Sequence, residues 1–176
     1  MSRPIIFIIL FFFTLAVRAE CDSLLMSGLS NDLKLTYEQF DQTPGKGWRM
    51  LEAEKCYGEA AILLDRYMHD NNANQTSLKW HLLQMYAFSN QSNKALEIVS
   101  QVLIPNEKQS NSLFLWNDYV LATAGFLEND LSKLKLHRDN LAKYGKGFKP
   151  NEMNLVTLDR LIGNFGQTYQ LAYIGE

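Results

Sequence analysis

The sequence predicts an all-α protein, a short stack of antiparallel helical hairpins with about seven or eight helices, and three observations carry that expectation. Trp48, Trp80 and Trp116 recur at intervals of 32 and 36 residues, close to the period of about 34 residues at which helix pairs repeat. Behind each of the last two tryptophans an apolar pattern of helical period is followed by a polar turn and a second such pattern, so each pair buries its apolar face only against a neighbour. No stretch carries the apolar-polar alternation of a half-buried strand.

Residues 1–19 read as an address placed ahead of the fold. Arg3 precedes the 14-residue apolar run Pro4 to Val17, and Val17-Arg18-Ala19 ends on a small residue. That is the layout of a secretory signal peptide, and the run falls short of the roughly 20 residues that span hydrocarbon as a helix. An uncleaved anchor is the alternative. Lipidation at Cys21 is rejected, because Glu20 stands where that processing needs a small residue. Cleavage removes Arg3 and Arg18 and no acid, so 17 basic residues become 15 against 19 acidic and the net charge moves from -2 to -4. A mildly acidic chain without a large basic cluster gives no footing for nucleic acid or for an anionic membrane surface. The expected compartment is periplasmic or extracellular, with no membrane span after cleavage and the oligomeric state open.

Cys21 and Cys56 are the only cysteines. In an oxidising compartment they have one way to pair; the alternative is a frayed Cys21 and a Cys56 packed as a small hydrophobe. Both readings stand on the sequence.

Taken in order, residues 22–41 read as one or two short helices, with Leu33, Tyr37 and Phe40 on one face and Ser30 and Asn31 as caps. In residues 40–49, Pro44-Gly45 prescribes a turn and Gly47 frees the backbone before a helix starting at Trp48. Gly45-Lys46 and Gly145-Lys146 are not phosphate loops: no Ser or Thr follows either lysine and no strand precedes them. Residues 48–68 form either a hairpin with a short first helix or one continuous helix. The second pair covers residues 77–104 and the third 112–144, with polar linkers at 70–76, 106–111 and 145–150. A last helix at 152–165 is expected to bury Met153, Val156, Leu161 and Ile162 and to stop at Gly163 or Gly166, leaving 167–176 as a short cap over the end of the stack.

Phe40-Asp41, Thr43-Pro44-Gly45 and Gly47-Trp48-Arg49, followed by Cys56-Tyr57 and Glu59-Ala60-Ala61, resemble a group of uncharacterised secreted bacterial proteins whose hairpins are similar to tetratricopeptide repeats. The resemblance covers most of the chain after residue 19 and implies fold and compartment, not an activity. Against the tetratricopeptide pattern the second pair fits best, with Leu82, Tyr86 and Ala95 in place, although Leu83 stands for the pattern's glycine and Pro105 arrives about two residues early. In the third pair Leu134 occupies the small-residue position, so looser packing is expected there.

For function, likeness to tetratricopeptide stacks, whose first helices line a concave face, gives the expectation of a surface for an extended peptide. Position by position this gives Trp80, Gln84 and Phe88 from the second pair and Trp116, Tyr119, Thr123 and Phe126 from the third. Large rigid aromatic side chains suit such contacts; the same tryptophans also fit an inter-helix core. Lys46 and Arg49 around one Gly-Lys-Gly and Lys146 in the other form a candidate anion-binding set if the loops meet. His69, His81 and His137 lack ligand spacing, so no metal or other cofactor is expected. The expectation is a non-enzymatic module that binds a protein or peptide. The alternatives are a small cell-envelope enzyme using Glu59, Asp65 or His81, and a structural subunit of an envelope complex.

Overall fold

The computed structural model describes residues 5–105 and 112–175, with side chains from residue 18 onward. Arg3 and the linker expected at 106–111 lie outside these residues. Every regular element among them is helical, nine α-helices with one 3-10 turn and one π turn, so the all-α expectation holds. The helices pack in adjacent pairs. The chain divides into two compact units, Met1–Asn74 and Gln75–Glu176.

In the first unit, α1 (Ile5–Asn31) runs without a break through Ala19 and Cys21. It crosses α3 (Tyr57–Asp70) at Gly28, where an added Cβ would stand 2.7 Å from a Leu63 methyl. The buried Leu63 side chain fills the space that a side chain at position 28 would need. No helix among the described residues is long and apolar enough to cross a membrane. Beyond α1 the chain makes a 3-10 turn at Asp32–Lys34 and a π turn at Glu38–Gln42 in place of a regular second helix. The Tyr67 hydroxyl donates to the Leu35 carbonyl at 3.0 Å and Asn71 to that of Leu33 at 3.1 Å, so α3 satisfies backbone groups that a helix would have satisfied itself. Residues 48–68 are two helices, α2 (Trp48–Ala53) and α3, broken where Lys55 takes φ +60°. Cys56 follows that break. It is disulfide-bonded to Cys21, with Cα atoms 5.5 Å apart, which closes the question that the spacing left open.

The second unit holds α4 (Thr76–Phe88), α5 (Ser92–Val102), α6 (Trp116–Leu127), α7 (Leu131–Tyr144), α8 (Lys149–Gly163) and α9 (Tyr169–Ile174). α4 packs on α5 and α6 on α7; α8 lies against α6 and α7, and α9 against α8 and α4.

One turn chemistry recurs inside all three pairs. Lys55, Asn90 and Asn129 have positive φ. In each case that residue's N–H bonds back to the carbonyl three residues earlier, and the next N–H bonds to the carbonyl five earlier. This is the Schellman closure, in which a left-handed residue satisfies the last carbonyls of a helix. The same closure ends α3 at Asn72, between pairs, and the tryptophans stand seven, ten and thirteen residues before Lys55, Asn90 and Asn129. Steps of three keep the indoles on roughly one helix face while moving them about a turn along it each time.

Two expectations about packing are corrected. The third pair is tight, because the small residue sits on the opposite helix: a Cβ at Gly125 would lie 2.6 Å from the Leu134 backbone nitrogen, and Leu134 is fully buried. The last long helix buries Leu161 as expected and half-buries Ile162, but Met153 and Val156 are 61% and 53% exposed, and the buried stripe is Asn151, Leu158 and Leu161. Asn151 sets that register. Its side-chain oxygen Oδ1 accepts from the Leu115 N–H at 3.0 Å, and its Nδ2 donates to the carbonyls of Leu113, at 2.7 Å, and Gly145. A polar residue at the head of a buried stripe is invisible to a count of apolar positions.

Candidate functional site

Residues four apart on a helix share a face, so α4 presents Trp80, Gln84 and Phe88 together, and α6 presents Trp116, Tyr119, Thr123 and Phe126 along another such stripe. The two stripes converge. The Trp80 and Trp116 rings meet edge to face with centroids 5.0 Å apart, and Trp80 lies 5.3 Å from Tyr119. Trp116 is anchored at its polar end, its indole N–H donating to the Val102 carbonyl at 2.7 Å. Beside it Asn117 bonds both the N–H and the carbonyl of Ile104, which fixes the chain leaving α5.

This aromatic face is covered. Tyr169 and Tyr173, one turn apart on α9, bring their rings to 5.2 and 5.1 Å from Phe88, and Tyr169 lies 5.9 Å from Phe126. Trp80, Tyr119, Thr123 and Phe126 are buried, while Gln84, Phe88 and Trp116 keep partial exposure. The sequence thus named residues that come together without naming Tyr169 and Tyr173, which lie on top of them. The available signal was Thr168, whose hydroxyl caps α9, followed by two tyrosines at helical spacing.

The buried hydroxyls set the electrostatics. Burial, with neighbouring tyrosines adding to it, raises the Tyr119 and Tyr169 phenols well above their ordinary range, so both stay neutral. Thr123 donates to the Tyr119 carbonyl at 3.0 Å, and the Tyr119 phenol faces Tyr173 and Thr157. The Tyr169 oxygen is fully enclosed. Gln84 and Thr123 face it without closing a hydrogen bond of good geometry.

The other candidates belong to both units. In the first unit Arg49 lies over the Trp48 ring at 4.4 Å, donates to the Asp41 carbonyl and pairs with Glu52 at 3.3 Å. Asp41 is fully buried and accepts from the Trp48 indole N–H at 3.0 Å and from Gln42. The distinctive 40–49 run is therefore a closed structural knot around a carboxylate. Lys46 is exposed in the same loop. Lys146 belongs to the second unit, on the rim of a shallow depression of about 200 Å³ that also includes Asn151 and Glu152. Asp65 is exposed; Glu59 and His81 are half-buried. His137 meets Asp118 across α6 and α7 at 2.8 Å, with Asn140 donating to the same oxygen at 3.1 Å. Among the described residues no three His, Cys, Asp or Glu side chains gather as a metal site would require.

No protein-family model, curated protein or solved structure matches this chain.

Proposed function

We propose that this protein is an exported helical-repeat module that binds a protein or peptide partner and carries out no catalysis. The carrying observation is the aromatic face that α4 and α6 build in the second unit, occupied by a helix of only six residues. Aromatic side chains interleaved with Gln84 and Thr123 suit peptide recognition, because they give contact area at small entropic cost and leave polar groups to fix orientation. Two further supports are the disulfide, which belongs to an oxidising compartment, and the resemblance to secreted proteins with tetratricopeptide-like hairpins. The ionisable groups nearest the face are phenols held neutral, which makes them contacts rather than nucleophiles.

Site-specific photocrosslinking tests the reading. A photoreactive phenylalanine analogue at Phe88, half-buried at the edge of the face, is expected to give one discrete heavier adduct in the native envelope. The same analogue at Lys135, exposed on α7, is expected to give none. Absence of an adduct at Phe88, or equal adducts at both positions, rejects the proposal.

A further inference from the structure

Resting on that reading, we propose that α9 is the chain's own stand-in for its partner: a displaceable helix that occupies the α4–α6 face until a helical segment with two aromatic side chains one turn apart replaces it. The seat is defined by what fills it. Tyr169 and Tyr173 are four residues apart, and both rings lie within 5.2 Å of Phe88. A mould of that spacing selects the i, i+4 pair of an amphipathic helix.

Three features mark α9 as separable from the hairpins it covers. It is six residues long, too short to hold helical form without its seat. The chain reaches it through Gly166, at φ +91° with nothing within 4 Å of where a Cβ would stand, a position that leaves the backbone free of side-chain constraint. Its other side offers Leu171 and Ile174 to solvent, 44% and 40% exposed, so it buries one narrow stripe and leaves its remaining apolar residues uncovered.

The fit is also incomplete, and the defect gives a partner its advantage. The Tyr169 hydroxyl is enclosed beside Gln84 and Thr123 without a good hydrogen bond, a cost that the docked helix carries and the released one does not. A partner whose first aromatic residue, or a neighbouring polar group, satisfies Gln84 makes the bond that α9 leaves open.

The test uses a fluorescent synthetic peptide of residues 165–176 as probe and reads anisotropy. The Tyr169→Ala/Tyr173→Ala full-length variant, whose own α9 has lost its anchors, is expected to bind the peptide at least tenfold more tightly than the unaltered protein. A chain ending at Gly166 is expected to match it, and a probe lacking both tyrosines to bind neither. If both variants keep their helical circular dichroism and bind the probe no better than the unaltered protein, displacement is wrong. If both lose their cooperative unfolding, α9 is an integral part of the core and the proposal is equally overturned. Peptide binding without a Phe88 adduct retains the displaceable helix and rejects the envelope partner. An adduct without a gain in peptide binding does the reverse.

Discussion

A methyl group at Gly125 would stand 2.6 Å from the Leu134 backbone nitrogen, and backbone has little room to yield. Gly125→Ala is expected to cost about 1–3 kcal/mol, whereas Gly163→Ala, with nothing within 4 Å of the new carbon, is expected to be neutral or to stabilise by up to about 1 kcal/mol. Urea titration of the two variants side by side measures the contrast. Trp80, 6% exposed, is expected to lose about 3–5 kcal/mol on replacement by alanine; loss of binding in that variant therefore reports folding, and half-buried Phe88 is the better probe of the face. Tyr169→Phe removes a buried hydroxyl without a good partner, so it is expected to leave stability unchanged or raised by about 1 kcal/mol. The phenols also fix a pH dependence. Their folded pKa values lie above the ordinary value of 10.0, so the neutral forms' contribution is complete below pH 10 and is lost as pH rises through the folded values. The Tyr119→Phe/Tyr169→Phe variant is expected to lose less stability above pH 10 than the unaltered protein, read as thermal midpoints across an alkaline series.

At the scale of elements, α8 shows how one polar side chain turns a helix. Asn151 bonds three backbone groups of two neighbouring segments, and those bonds outweigh the exposure of Met153 and Val156. Asn151→Leu is expected to destabilise by about 1–3 kcal/mol, because it leaves the part-buried Leu115 N–H and Leu113 carbonyl without their partner; hydrogen exchange at Leu115 and chemical denaturation report it together. The link between α1 and the start of α3 is covalent. A bridge spanning 35 residues restrains the unfolded chain by about 3–4 kcal/mol in the loop-entropy account. Reductant is therefore expected to lower the denaturation midpoint of the first unit while leaving the second, which contains no cysteine, unchanged. Following Trp48 fluorescence in a protein with Trp80 and Trp116 replaced by phenylalanine isolates that transition.

For the whole molecule, two compact units and a low net charge of -2 describe a chain that folds by burying helix faces. The sequence alone determined the helical class and the pairing of helices about polar turns, since these follow from periodicity and turn chemistry within a few residues of each position. Tertiary structure decided what lies far apart in sequence. It paired Cys21 with Cys56, put the small residue of the third pair at Gly125, rotated α8 about Asn151 and laid Tyr169 and Tyr173 over Phe88. Each of those depends on which backbone comes within about 3–4 Å of which side chain, and a helical period fixes the face a residue occupies without fixing what arrives to cover it.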